Sequence, residues 1–244
     1  MLIAVVALAG FLTSALSGVA GLGGGTILIG LFYALGMPPV EAVPLFAAVQ
    51  FVSNTSRTVA YAKHVEWHAA GWFLAAAIPA TFLMAPLVER VDVNAVRLIL
   101  AGLILASLAP ARGGDAQLPA RPAFVLAGLL NGSIGMFVGA TGLFVGRLFL
   151  RPEWSKERVI ATLAMTQSLG HLLRVAAYGV VGFTVLAQWP MLLPLCVAVI
   201  AGTATGRWLN TRLSEEVFAR LFKLILLVLS LKLGWDGLRG LEWI

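Results

Sequence analysis

Gly21-Leu22-Gly23-Gly24-Gly25 decides how this chain folds, because it lies within 40 residues, Met1 to Val40, that hold no Asp, Glu, Lys or Arg. Hydrocarbon gives exposed peptide groups no hydrogen-bond partner, so a flexible glycine run at membrane depth is tolerated only where protein or a water-filled cavity lines it. A weaker copy follows, since Gly18, Gly21 and Gly25 reappear 114 positions later as Gly132, Gly135 and Gly139. A duplicated pair of interrupted apolar segments points to a substrate site between two halves of a transporter.

The rest of the composition agrees. Of 244 residues, 60% are hydrophobic and 11% charged, and the mean hydropathy is +0.94, whereas soluble domains carry roughly 25% charged residues. Further charge-free runs span Trp67 to Val88, Pro122 to Gly146, Val159 to Leu173 and Val175 to Gly206, and about 20 such residues cross a bilayer as a helix. The expected fold is an all-α polytopic membrane protein, not a barrel. Met1 leads directly into an apolar run with neither a basic leader nor a cleavage pattern, so this start reads as a retained membrane segment.

The net charge of +6 and pI of about 10.1 do not indicate nucleic acid, because the basic residues are scattered at segment ends rather than gathered on one face. Positive-inside topology accounts for them. Seven tryptophans near segment ends, Trp67 and Trp235 among them, fit an interfacial belt. The single cysteine, Cys196, permits no internal disulfide and no thiolate metal cluster. His64 and His68 have a metal-like interval but border a connection with no third ligand nearby, so no metal and no cofactor is expected.

Apolar segments fall at about 2 to 36, 40 to 62, 67 to 89, 93 to 110, 122 to 150, 156 to 179, 184 to 209 and 215 to 237, the first and fifth being broken at the glycines. This gives two homologous four-segment halves, 1–110 and 122–244, joined by a Pro- and Gly-rich linker at 111–121. Beyond the glycines, Gln50, Arg57 and Tyr61 match Gln167, Arg174 and Tyr178, each shifted by 117 positions. Intervals of seven and four place each trio on one helix face.

Two topologies follow from the breaks. If each broken segment crosses fully, the halves share one orientation. If each is a re-entrant hairpin, every half has three crossings and the repeats are inverted. Inversion segregates charge more cleanly, with Lys63, Arg112, Arg121, Arg147, Arg151, Lys156, Arg158, Arg207, Arg212 and Arg220 on one face and Arg90, Arg97 and Arg239 on the other. Residues 2 to 36 as one helix would also be about 50 Å long against a ~30 Å core. A strongly tilted broken span is the alternative.

The chemistry available is that of anion binding. Helices beginning after Gly25 and Gly139 would point unpaired amides and a positive dipole end at mid-membrane. Gly24, Gly25, Gly139 and Ala140 would allow close backbone approach, while Thr26 and Thr141 beyond the breaks, and Ser17 and Asn131 before them, offer neutral donors. Small residues that only let helices approach are the competing explanation. Arg57 and Arg174 supply bidentate forks for an oxyanion. Arg57, close to Lys63, could instead reach the interface, whereas Arg174 sits between two charge-free runs. Gln50, Gln167 and Asn54 are lining candidates or helix-bridging amides. His171 shares the face of Gln167 and Arg174 and suits either proton coupling or a structural hydrogen bond. An intramembrane hydrolase using Ser133 and His171 is a third reading, though no carboxylate lies in an expected membrane interior.

At these residues the chain resembles the TauE/SafE sulfite exporter family, also called the toluene-sulfonate uptake permease family. Gly21 to Gly25 resembles the family's first glycine signature, Glu41-Ala42-Val43 through Ser53 its second helix, and Tyr61 to Trp67 the connection into the third. The chain departs in having Gly30 where a proline usually follows the signature, and in a second copy, Gly135-Met-Phe-Val-Gly139, with only two glycines. The resemblance implies a multi-pass inner-membrane permease for sulfite, organosulfonates, sulfoacetate or related small organic anions. A coupling proton or cation and a homodimer are compatible with it. A non-transporting membrane subunit or anchor is the alternative, in which the polar positions would tolerate apolar replacement.

Overall fold

The computed structural model describes residues 2–20, 24–109, 118–210 and 215–242. The tip of the first break, 21–23, most of the expected linker, 110–117, and the side chain of Ser17 lie outside the described residues. Among those described there are helices and no strand. The first half forms α1 (Leu2–Ala20), α2 (Gly24–Ala34), α3 (Pro39–Ala60), α4 (Trp67–Met84) and α5 (Val93–Leu108). The second forms α6 (Ala120–Gly132), α7 (Ile134–Val138), α8 (Gly142–Val145), α9 (Lys156–Val180), α10 (Trp189–Asn210) and α11 (Glu215–Gly240). Segments Trp67–Leu87, Lys156–Val180 and Val185–Gly206 are long and apolar enough to cross a membrane, and Ile3–Leu16, Gly24–Ala34 and Val93–Leu108 are shorter apolar helices.

Local chemistry sets the ends of these helices. Asp92 Oδ1 accepts from the amides of Asn94 and Ala95 at 2.7 and 3.2 Å and caps α5, and Ser155 Oγ does the same for α9. Gly36 closes α2 at φ +84° and Gly182 follows α9 at φ +96°. In both places the next amide reaches back, Met37 to Phe32 and Phe183 to Tyr178, a left-handed terminus that glycine permits without strain.

α1 and α2 form a hairpin around the first break: Thr13 and Ser14 line one cleft with Gly24, Gly25 and Leu28, while Val5 and Ala9 share a groove with Ile27, Leu31 and Ala34. Eleven residues of α2 rise about 16 Å, half of a ~30 Å hydrocarbon core. The start of α2 meets the middle of α3, where Gly25 faces Gln50 and Phe46. The far end of α2 is held by Arg97, whose Nε and Nη2 donate to the Tyr33 carbonyl at 3.2 and 3.0 Å. Arg97→Met is expected to lower stability by about 1–2 kcal/mol, read as a reduced unfolding midpoint in detergent, because that carbonyl loses both guanidinium donors and keeps only the Gly36 amide.

The halves cross over one another. α1 rests on α10 and α6 on α4, each pair so close that a Cβ at Gly202 or Gly206 would lie 2.2 Å from the carbonyl oxygen of Phe11 or Ala15, and one at Gly128 2.2 Å from that of Phe73. These contacts advance together along both chains, so each pair is parallel. α3 and α9 run antiparallel, joined by Thr55 Oγ1 and Ser168 Oγ at 2.6 Å and by the Phe46 and His171 rings. α5 and α11 are antiparallel as well, since Gly234 faces Ala101 while Gly237 and Gly240 face Asn94.

Cations gather at one end. Arg121 stacks 3.8 Å above the Trp72 ring, Arg158 lies 3.8 Å from Glu66, Arg147 donates to the carbonyls of Ser107 and Ala109 and Arg151 to that of Leu118. The main core joins Phe32, Tyr33, Leu45, Phe46 and Tyr178, and a second gathers Phe73, Phe124 and Phe149 between α4, α6 and the turn after α8.

Candidate functional site

The equivalent polar residues of the two halves sit in different surroundings. In the first half they border an open crevice. A cleft at the start of α2, lined by Gly24, Gly25, Gln50, Ser53 and Arg57 together with Thr13, Ser14 and Thr203, adjoins a cavity of about 220 Å³ between α3 and α10. Arg57, Ser53, Val199 and Thr203 belong to both. Gly25 lets Gln50 approach the backbone, because a Cβ there would lie 2.0 Å from Gln50 Nε2 and displace that side chain.

In the second half the counterparts are shut away. Arg174 is fully buried. Its Nη1 lies 2.9 Å from His171 Nδ1, and its Nη2 donates to the Asn131 carbonyl at 3.1 Å, at the end of α6. Asn131 Nδ2 donates to Thr141 Oγ1 at 2.7 Å, and Thr141 Oγ1 donates to Gln167 Oε1 at 3.2 Å. Gly135 and Gly170 make room for this cluster, since a Cβ on either would lie 2.3 Å from Arg174 Nη2 or Asn131 Oδ1. Among the described residues Arg174 Nε, Gln167 Nε2 and Asn131 Oδ1 have no hydrogen-bond partner. No Asp, Glu or Lys is found among the described buried residues.

Phe46 stands between the two regions. Its ring would lie 3.3 Å from a Cβ at either Gly25 or Gly139, and it meets the His171 ring edge-on with centroids 5.5 Å apart. One aromatic side chain thus touches both breaks.

The structure brings Thr141, Gln167, His171 and Arg174 together, and separately Gly24, Gly25, Gln50 and Arg57. Thr26 and Ala140 are buried beside the breaks. Asn54 is engaged within its own helix, its Nδ2 donating to the Gln50 carbonyl at 3.0 Å. One expectation is corrected. No extended helix follows Gly139, whose φ is +77°, because α8 has four residues and passes into a 3-10 turn at Gly146–Phe149. Thr141 commits its hydroxyl to Asn131 and Gln167 instead of capping that helix, so among the described residues a helix of several turns follows the first break and not the second. Ser133 Oγ donates to the Leu129 carbonyl, and no hydrogen bond joins it to His171 among the described residues.

Several contributors were not singled out by the sequence. The Tyr33 hydroxyl donates to the Phe137 carbonyl and that of Tyr178 to the Met136 carbonyl at 2.7 Å, pinning the second break from two helices. Tyr178 had a signal, its place in the Gln-Arg-Tyr stripe. Thr13, Ser14 and Thr203 had only their position one or two turns from a break or a seam.

Mid-depth interruptions, a polar crevice and guanidinium groups inside an apolar helical bundle mark a membrane transporter. The sequence model of the family Sulfite exporter TauE/SafE matches residues 6–233, and the chain belongs to that family. No curated protein and no solved structure matches it.

Proposed function

We propose that this chain is a secondary permease of the inner membrane that moves small anions, such as sulfite, organosulfonates, sulfoacetate or related organic acids, by alternating access around a mid-membrane site. The observation that carries the reading is one guanidinium per half at equivalent positions, Arg57 beside the open crevice and Arg174 sealed in its cluster, each next to a backbone break. An oxyanion suits such a site, because amides and guanidinium forks supply donors where charge is otherwise costly. Membership in a sulfite exporter family supports the same substrate class.

The two halves are read as inverted repeats. In support, α3 is antiparallel to α9 and α5 to α11, which are corresponding helices, and α4 and α10 each carry an internal proline, Pro79 and Pro194. The cation-rich end then faces the cytoplasm, with both termini opposite. Single cysteines introduced at 37–40 and at 151–156, with Cys196 replaced, are expected to label from opposite sides of the membrane. Labelling from the same side overturns inversion.

Gly25→Leu tests the transport site. A leucine side chain would displace Gln50 and press on Phe46, so labelled sulfite or sulfoacetate uptake into proteoliposomes is expected to fall at least about tenfold, the cost of ~1.4 kcal/mol. Uptake equal to wild type would count against a site at this break.

A further inference from the structure

We propose that His171 takes up one proton with each anion that engages Arg174, so that the second-half cluster loads anion and proton together. The inference rests on the anion-transport reading above and extends it to the coupling ion.

Hydrogen-bond direction is the starting point. A guanidinium only donates, so His171 Nδ1, 2.9 Å from Arg174 Nη1, presents its lone pair and the ring is neutral. Protonating Nδ1 in this arrangement would set N–H against N–H and place a second cation beside a buried first one. The groups around the pair offer no relief. From α9 come Arg174 and Tyr178, from α2 Tyr33, from α3 the Phe46 ring, and from the end of α6 the Asn131 carbonyl. Both tyrosine hydroxyls already donate to backbone carbonyls.

An anion changes this balance. Arg174 Nε and Gln167 Nε2 are buried donors without partners, which an oxyanion would satisfy. Its charge also draws Nη1 away from His171. Nδ1 is then free to accept a proton given up by the buffer acid in bulk solvent, and the imidazolium faces a neutralised guanidinium. Because the anion makes protonation favourable, the proton must tighten the anion by the same factor. The first half has no such device, since Asn54 stands at the position equivalent to His171.

The test uses the full chain in detergent with methanesulfonate or acetate, neither of which titrates between about pH 6 and 8. Calorimetric titration in two buffers of different ionisation enthalpy counts the protons absorbed. About one proton per bound anion is expected, with affinity rising toward tenfold for each unit fall in pH. Binding without proton uptake overturns the coupling and leaves the transport reading standing, whereas no binding of either probe, or of sulfite, overturns both. His64→Gln with His68→Gln, at a half-buried and an exposed position away from the cluster, is expected to keep the full proton count; its loss would overturn the assignment. His171→Asn puts an amide oxygen near the place of Nδ1, and any anion it binds is expected to bring no proton. Continued proton uptake by that variant also overturns the proposal.

Discussion

Arg174→Gln is expected to reduce anion uptake by at least about 100-fold. Arg174 holds His171 Nδ1 and the Asn131 carbonyl at 2.9 and 3.1 Å from a fully buried position. A glutamine side chain is too short to reach both, and each lost charge-assisted hydrogen bond is worth about 1.5–3 kcal/mol. Two such losses exceed the ~2.8 kcal/mol that corresponds to 100-fold. The fold should survive the change, because removing a buried charge relieves its desolvation at the same time. Initial rates of labelled sulfite uptake, normalised to folded protein, give the measurement. Arg174→Lys should recover only part of the rate, since an ammonium keeps the charge but loses the fork. Wild-type uptake by the glutamine variant would remove Arg174 from the site.

The second large effect concerns stability. Gly128→Val and Gly206→Val are each expected to destabilise the protein by about 3 kcal/mol, the upper end of overpacking costs. A new Cβ would meet the carbonyl oxygen of Phe73 in one case and Ala15 in the other, both at 2.2 Å. Backbone oxygens inside a helix cannot swing aside as a side-chain terminus can, so the helices must separate. Gly71→Ala and Gly102→Ala serve as controls, since nothing lies within 4 Å of a Cβ there. They should be neutral or stabilising by up to about 1 kcal/mol, the helix preference of alanine over glycine. Thermal unfolding in detergent followed by circular dichroism separates the two pairs, and equal midpoints would refute close backbone packing at these seams.

Much of the fold was legible because its causes are local. Charge-free length and the charged connections placed most helix ends within a few residues of those observed, whereas the Asp92 and Ser155 caps and the Gly36 terminus came to light only with the backbone. The Gln167-His171-Arg174 stripe was also legible, because seven- and four-residue spacing needs no knowledge of neighbours. The second break was misjudged because its conformation depends on distant residues. Thr141 is captured by Asn131 and Gln167, and Tyr33, 104 positions away, anchors the Phe137 carbonyl. The crevice was only partly legible for the same reason. Gly25 and Arg57 announce themselves, but Thr13 and Thr203 gain meaning only when α1 and α10 meet beside them.

The crossed arrangement of α1 on α10 and α6 on α4 has a bearing on how such a chain comes to exist. Severed at its midpoint, it would yield two fragments, one with the glycine-lined flanks of α6 and α10 and the other with the faces of α4 and α1 that those flanks cover. Made together in one cell, the two are expected to reassemble by trading α1 and α6, whereas either made alone would leave a tightly fitted seam open to lipid.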